Sequence, residues 1–192
     1  MTKLILASHS PRRKMLLEQM GLTDFIVRPA KGPEPEAAAE LSPEEAVIAI
    51  ALCKGREVAA DALPGELVLA ADTEVCLDGK LLGKPKDEAD AIAMLTRLSG
   101  AKHTVYTGVA LLLDEKTVTG VEATDVFFRT LSPEEIEAYV ATREPMDKAG
   151  AYGLQGKASI FVRRIEGDVY NVIGLPLCRV AELAAEMGVR VF

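Results

Sequence analysis

The N-terminal segment of the chain is a short apolar run that leads directly into a helix start. Residues Leu4 to Ala7 have the composition of a buried strand, and Ser10 and Pro11 follow as an N-cap and a first helical residue. Buried strands that feed directly into helices are typical of α/β proteins, and the rest of the chain continues this alternation. The sequence therefore predicts one α/β domain over residues 1–192.

Apolar periodicity, capping residues and turn residues indicate where the other elements lie. Helices are predicted from Pro11 to near Gly21, over 43–60, from the cap Asp87 to before Gly100, from Ser132-Pro133, and over 176–187. Strands are predicted at 4–7, 25–27, 67–71 (ending at Asp72-Thr73), 103–113, 117–129 and 159–164. Asp78-Gly79 is a hairpin turn signal, and the proline-rich segment 29–40 is predicted to be irregular.

The first helix places Arg12, Arg13 and Lys14 in its first turn, where bases are unfavourable. A helix N-terminus carries the positive end of the helix dipole and unpaired N–H groups, so acids belong there. The helices that begin at Ser42 and Ser132 follow this rule with glutamates. A solvated basic face is one interpretation of the first helix. We favour a bound phosphate chain, because it would remove the conflict directly after a buried strand.

The composition limits the kinds of partner. The chain has 192 residues, is 49% hydrophobic and carries a net charge of −7. Nucleic-acid and membrane-surface binders need a broad positive field, so neither partner is expected and any anion site must be local. The apolar run at the N-terminus is too short for a signal peptide and is soon followed by polar residues. No apolar run reaches membrane-spanning length, so the sequence predicts a cytoplasmic protein.

The cysteines and histidines argue against a zinc site. Cys53, Cys76 and Cys178 are widely separated in apolar surroundings and are predicted to be reduced core thiols. The chain has no Cys-x-x-Cys pair, and its only histidines are His9 and His103. The sequence therefore does not favour zinc.

Two lysines are further candidates for phosphate binding. Lys54 interrupts the apolar face that Ile50, Ala51 and Val58 form on the helix at 43–60. Taken alone, it is typical of a lysine whose stem packs against the core while its ammonium reaches water. With the arginines in view, it is a candidate second phosphate contact, and Lys84 is a candidate of the same kind.

Carboxylates would complete a phosphate site. Asp72 follows an apolar strand, and Glu74 projects from the same face two residues later. A buried ionised group is costly unless it is hydrogen-bonded, paired or bound to metal, and a hydrogen bond at the strand end is one interpretation of Asp72. Asp72 with Glu34 is also an oxygen ligand set that suits magnesium or manganese. These residues predict phosphoryl or nucleotidyl chemistry.

Four blocks of the sequence resemble the Maf family of nucleoside triphosphate pyrophosphatases. They are LILASHSPRR at 4–13, ADTEVCLDGKLLGKP at 71–85, LSGAKHTVYTGVALL at 98–112 and FRTLSPEEIEAYV at 128–140. The resemblance implies a cytoplasmic, homodimeric, metal-dependent enzyme that cleaves between the α and β phosphates and releases a monophosphate and pyrophosphate. It also implies a central mixed β-sheet flanked by helices, in a two-lobed molecule with an active-site cleft similar to that of inosine triphosphate pyrophosphatases.

The resemblance further implies roles for individual residues. The matching positions are Asp72 for the general base, Ser8, Arg12 and Arg13 for the phosphate loop, and Lys54, Lys84 and Glu34 for further site positions. The family usually has Asp-Glu after the second strand. Here Glu34 and Glu36 stand between prolines instead, so either could supply the second carboxylate.

A glycine-rich segment bears on the substrate. Residues 147–156, DKAGAYGLQG, resemble the branch of the family that acts on dTTP and UTP, in which Arg12, Thr73 and Gln155 are linked to substrate choice. An ordinary glycine-rich turn is the alternative interpretation. The amide of Gln155 could match the imide edge of uracil and thymine, which predicts a preference for UTP and dTTP over CTP.

We therefore expect metal-assisted hydrolysis of dTTP, UTP and modified pyrimidine analogues, in a nucleotide house-cleaning role. Magnesium or manganese held by Asp72 and Glu34 would bridge phosphate oxygens, Asp72 would orient or deprotonate water, and cations including Lys84 would neutralise the leaving pyrophosphate. The alternative is a nucleotide-binding regulator of cell division without turnover. A purine-directed enzyme would need a pocket unlike the one that AYGLQG implies.

Overall fold

The structure is a computed structural model that describes residues 2–190, and a mixed β-sheet lies at its centre. Its strands are β1 (Leu4–Leu6), β2 (Phe25–Val27), β3 (Leu67–Leu77), β4 (Lys80–Leu81), β5 (Lys102–Leu113), β6 (Lys116–Phe128) and β7 (Val162–Glu166). The order across the sheet is β2–β1–β3–β5–β6–β7, and β4 pairs with β3. The pairs of β1 with β2 and β3 are parallel, and the other pairs are antiparallel.

Helices cover the sheet and connect its strands. They are α1 (Pro11–Gln19), α2 (Pro43–Ala59), α3 (Glu88–Leu98), α4 (Pro133–Val140), α5 (Val169–Ile173) and α6 (Leu177–Glu186). Short 3₁₀ helices lie at Glu36–Glu40, Glu144–Asp147, Ala149–Ala151 and Lys157–Phe161. The prediction of a central mixed sheet flanked by helices is confirmed.

The first half of β3 separates two helical layers. Alternate residues of a strand face opposite sides of its sheet. Val68 and Ala70 belong to the core on the α2 side, whereas Leu69 and Ala71 belong to the core formed with α1 and α6. The first half of β3 is thus buried on both faces of the sheet.

A third core lies at the far end of the long strands. Val75 of β3 and Val126 of β6 pack there with Leu95 of α3 and Ile136 of α4. Residues 72–74 of β3 lie between the residues that belong to the first two cores and those that belong to the third. The molecule therefore has two lobes, and the middle of β3 lies between them.

The helix N-termini are built as the sequence predicts. Ser42 and Ser132 each form a complete capping box with the glutamate three residues later. Ser10 caps α1, but the first turn of α1 contains no acidic residue. The unfavourable charge arrangement at α1 is therefore present in the folded structure.

Several boundaries differ from the predictions. Strand β3 does not end at Asp72: it pairs with β5 from Leu67 to Cys76, because the polar residues in its middle remain in the hydrogen-bonded ladder. The predicted irregular segment 29–40 contains a 3₁₀ helix after its last proline. The strand predicted at 159–164 begins at Val162, because a 3₁₀ helix occupies residues 157–161.

The three cysteines differ in their burial. Cys76 is buried and Cys53 half-buried, but Cys178 is exposed, so its prediction as a core thiol is wrong: it lies on the outer face of α6 near Glu182. All three are free thiols.

Among residues 2–190, no helix is both long and apolar enough to cross a bilayer.

Candidate active site

A cavity of about 540 Å³ opens beside the carboxyl ends of β1 and β2 and the middle of β3. Every site residue predicted from the sequence lines this cavity: Ser8, Arg12, Arg13, Glu34, Lys54, Asp72, Thr73, Lys84 and Gln155. Glu36, the alternative to Glu34, is not among the lining residues and begins a 3₁₀ helix. The fold thus brings together residues from six separate segments of the chain.

Arg13 is held at the cavity wall by neutral oxygen atoms. Its Nε donates to the carbonyl of Gly174 at 2.8 Å, Nη1 to the hydroxyl of Ser8 at 3.2 Å, and Nη2 to that of Thr73 at 3.0 Å. Burial lowers the pKa of Arg13, and the charge of Asp72 opposes this shift. Arginine stays protonated in proteins, so a positive charge without an acidic partner faces the cavity.

The three bases of the first turn have different surroundings. Within residues 2–190, neither Arg12 nor Arg13 forms an ion pair, and both line the cavity. Lys14 is exposed and pairs with Glu18 at 3.8 Å. The two arginines, together with the positive end of α1, therefore form an anion-attracting wall.

Lys54 connects two carboxylates that line the same cavity. Its Nζ donates to Asp72 Oδ1 at 2.7 Å and to Glu34 Oε1 at 2.9 Å. Burial disfavours the ammonium, but the charges and hydrogen bonds of Asp72 and Glu34 outweigh it and raise the pKa of Lys54. The structure thus places this lysine against acids, whereas the sequence suggested a phosphate contact.

Glu74 is a further acidic residue of the cavity that the sequence analysis noted but did not assign to the site. It lies on the Asp72 face of β3 and lines the cavity. Burial, together with the negative charges of Asp72 and Glu34, raises its pKa to about 7. The sequence indicated this only through its position two residues after Asp72, because residues two apart on a strand project from the same face.

The carboxylates suit a divalent cation, although no preformed cluster holds one. The described residues contain no group of three or more histidine, cysteine, aspartate or glutamate side chains arranged as metal ligands. However, Asp72 Oδ2 and Glu74 Oε2 are both buried without a hydrogen-bond partner. Magnesium is usually bound by one or two carboxylates and by substrate phosphates, so these residues fit it.

The remaining predicted residues lie around the cavity mouth. Lys84 is exposed, and the carbonyl of the preceding Gly83 accepts a hydrogen bond from Gly150 N at 2.8 Å, which joins the two segments. Gln155 is exposed, and its Nε2 approaches Met15 Sδ at 3.8 Å. Its amide is thus free to meet a ligand at the mouth.

The sequence analysis did not identify the residues that support Thr73, one of the hydrogen-bond partners of Arg13. Thr107 of β5 lies within 2.9 Å of Thr73, oxygen to oxygen, and donates to the carbonyl of Asn171 at 3.1 Å. Asn171 is fully buried on α5, the helix that precedes Gly174. A threonine in an alternating strand carries no sequence signal for such a role.

Comparisons with known proteins agree with this geometry. The sequence profile of the family described as Maf-like protein matches residues 3–187. A dTTP/UTP pyrophosphatase of Moorella thermoacetica is 52% identical over 194 aligned residues, covering 100% of this chain and 98% of the relative. A dTTP/UTP pyrophosphatase of Bacillus cytotoxicus is 52% identical over 179 residues, covering 93% of this chain and 92% of the relative.

A solved structure supports the fold. The HAM1 protein of Coxiella burnetii superposes with a TM-score of 0.54 at 15% identity, covering 97% of this chain and 100% of that protein. At this identity the likeness concerns the fold alone. The sequence blocks, the profile match across almost the whole chain and the identity to the two relatives lead to one conclusion: this chain is a member of the Maf-like protein family.

Proposed function

We propose that this chain is a nucleoside triphosphate pyrophosphatase that hydrolyses dTTP and UTP to the monophosphate and pyrophosphate. The observation that carries the proposal is the cavity itself, which is lined both by arginines without an ion pair in the described residues and by Asp72 and Glu74, each with a buried carboxylate oxygen that has no partner. The names of the relatives, dTTP/UTP pyrophosphatases at 52% identity, support the same substrates.

The arginines would bind the phosphate chain. Arg13 is oriented by its bonds to Gly174, Ser8 and Thr73, so little side-chain entropy remains to be lost on binding. Arg12 and the N-terminus of α1 would add positive charge, and Lys84 could reach the leaving pyrophosphate from the mouth. Donors that are oriented before the reaction stabilise developing negative charge effectively.

Asp72 would orient and deprotonate the attacking water. Lys54 holds its Oδ1, which leaves Oδ2 as the oxygen able to accept a proton or a hydrogen bond from water. Glu34 keeps Lys54 in place from the other side. A bound magnesium or manganese ion would neutralise phosphate charge. Asp72 would hold it, and Glu34 and Glu74 are the neighbouring carboxylates that could share it.

The family resemblance also supports proposals about the cellular role. We propose a cytoplasmic homodimer that removes modified pyrimidine triphosphates as well as the ordinary ones. Size-exclusion chromatography with light scattering tests the dimer, and 5-substituted uridine triphosphates test the substrate range.

The test of the proposed function is an assay of the purified full chain with UTP, dTTP, CTP, ATP and GTP in the presence of Mg²⁺. Mass spectrometry of the products distinguishes the bond cleaved, because UMP with pyrophosphate indicates the α–β bond and UDP with phosphate the β–γ bond. We expect UMP and pyrophosphate from UTP, and loss of the reaction with EDTA. Stoichiometric binding of UTP without products would contradict the proposal and favour a nucleotide-binding regulator.

A further inference from the structure

Two buried carboxylate oxygens lie next to the cavity without a partner. They are Asp72 Oδ2 and Glu74 Oε2, on side chains that project from the same face of β3. The side chain of Asp72 is only 9% exposed. A buried carboxylate oxygen without a donor is costly, and one cation bound between the two side chains would offset that cost for both.

Lys54 does not supply that charge for both acids. Its ammonium already donates to Asp72 Oδ1 and Glu34 Oε1, and it forms no hydrogen bond with Glu74. Lys84, the other lysine that lines the cavity near these acids, is exposed and forms no ion pair within residues 2–190, so negative charge remains in excess around Glu74. A divalent cation between Asp72 and Glu74 would remove this excess.

Glu34 is less suited to hold such an ion. It lies on the loop after β2, its side chain is 57% exposed, and its carboxylate is engaged with Lys54. A ligand on a paired strand is held more rigidly than one on an exposed loop. The ion pair with Lys54 gives Glu34 a different task, which is to orient the lysine.

We propose that Glu74, together with Asp72, supplies the protein ligands of the divalent cation, and that Glu34 is a positioning residue for Lys54. The inference rests on the proposed function, in which triphosphate oxygens complete the coordination of the ion. Two carboxylates with phosphate oxygens and water are a usual ligand set for magnesium.

The test measures cation binding directly. Mn²⁺ is titrated into the metal-free full chain, alone and with α,β-methylene-UTP, and free Mn²⁺ is followed by electron paramagnetic resonance. Loss of a ligand should weaken Mn²⁺ binding by at least about tenfold in Glu74→Gln, because even supporting residues of metal sites contribute 10–100-fold. Glu34→Gln, the matched control, should bind Mn²⁺ within about threefold of the wild type. Glu74→Asp, which keeps the charge, should bind more tightly than Glu74→Gln and also serves if the latter fails to fold.

Other outcomes would overturn the inference. These are unchanged Mn²⁺ affinity in Glu74→Gln, a larger loss in Glu34→Gln, or no detectable Mn²⁺ binding by the wild type under either condition. UTP hydrolysis by the wild type is measured separately. If hydrolysis occurs but Glu74→Gln binds Mn²⁺ normally, the inference fails and the proposed function stands. If Mn²⁺ binding follows the expected pattern without hydrolysis, the proposed function fails and the cation site stands.

Discussion

Asp72 has two oxygens with different surroundings, and this difference decides what the residue can do. Oδ1 accepts from Lys54 at 2.7 Å, whereas Oδ2 is buried without a partner. The first bond fixes the carboxylate in position. The second oxygen is left for water or a cation.

Asp72→Asn should therefore remove catalysis while preserving the shape of the site. An amide oxygen can still accept from Lys54, but the amide cannot take a proton from water. We expect kcat for UTP to fall by roughly 10²–10⁴-fold, the usual effect of losing a general base. Calorimetry with α,β-methylene-UTP should show that binding survives through the arginines. Near-normal turnover would exclude Asp72 as the base.

His103 is a buried titratable residue that predicts how stability depends on pH. Its Nε2 lies 2.8 Å from the hydroxyl of Tyr152, and burial lowers its pKa to about 4. The unfolded chain binds a proton near pH 6.5, so the stability that His103 contributes is complete above that pH and is lost as the pH falls toward 4. We expect the free energy of unfolding to drop by roughly 2 kcal/mol between pH 7 and pH 5 from this residue.

Urea unfolding at the two pH values checks this expectation. The contribution of His103 is the difference between the wild type and His103→Gln, since glutamine does not titrate. Both proteins keep the opposing effect of Glu74, whose raised pKa of about 7 makes the folded protein more stable as the pH falls over this range. His9→Gln is the matched control, because His9 is exposed and is the only other histidine of the chain. A His103→Gln variant with the full wild-type drop would show that another group is responsible.

At the scale of elements, α1 distinguishes two arginines that the sequence alone treats alike. Arg13 is bonded to Gly174, Ser8 and Thr73, whereas Arg12 has no ion pair among the described residues. An acid in place of Arg12 would satisfy the dipole of α1 and lose little else. An acid in place of Arg13 would lose three hydrogen bonds and add negative charge near Asp72.

Arg12→Glu should therefore stabilise the nucleotide-free protein slightly, by about 0.3–1 kcal/mol, while Arg13→Glu should destabilise it. Both variants should bind α,β-methylene-UTP much more weakly. Thermal unfolding and calorimetry measure the two effects. Equal changes of stability in the two variants would contradict the assigned contacts.

The packing of α2 against β5 holds Lys54 at the cavity and depends on glycine. A Cβ at Gly108 would lie 2.3 Å from the carbonyl oxygen of Val47, a backbone atom of α2. A Cβ at Gly55 would meet a methyl group of Leu112 at 2.5 Å, and that side chain can rotate away. The two glycines are thus a matched pair at one interface.

Gly108→Ala should destabilise the protein by about 2 kcal/mol or more, since backbone of α2 must shift. Gly55→Ala should be tolerated much better, because alanine also favours the helix by about 1 kcal/mol. Chemical denaturation measures both changes. Similar losses in the two variants would show that the contact at Gly108 is not rigid.

At the scale of the whole molecule, the cavity is a site where basic and acidic side chains are concentrated on a protein that is acidic overall. The chain carries a net charge of −7, yet the unpaired arginines line one wall. A nucleotide would therefore be attracted by short-range contacts and the helix dipole rather than by the overall charge. Base specificity would then depend on residues at the mouth such as Gln155, which lies beside Met15 of α1.

Gln155→Glu should reduce the preference for UTP over CTP. The glutamine amide can both donate to and accept from the imide edge of uracil, whereas a carboxylate cannot donate and repels the carbonyl. Cytosine reverses part of that edge, so mispaired polar groups should lower its kcat/KM strongly in the wild type. Measurement of kcat/KM for both nucleotides on both proteins checks this. Equal wild-type values would exclude Gln155 as the residue that reads the base.

Interactions between near neighbours in the chain determined what the sequence by itself predicted. Ser42 and Ser132 cap helices through residues three positions away, and Asp78-Gly79 turns a hairpin with both φ angles positive. Such features depend on local backbone geometry and need no knowledge of the fold. The family resemblance added the set of site residues, and the structure places all of them around one cavity.

Only the tertiary structure decided how those residues interact. Arg13 is oriented by the carbonyl of Gly174, 161 residues away, and Lys54 meets Asp72 because α2 packs on β3. The extension of β3 past Asp72 depends on its register with β5, which no pattern within β3 contains. Backbone carbonyls and sheet register carry no side-chain signature, so the partners of Arg13 and Lys54 and the buried, unpartnered oxygen of Glu74 could be identified only from the folded chain.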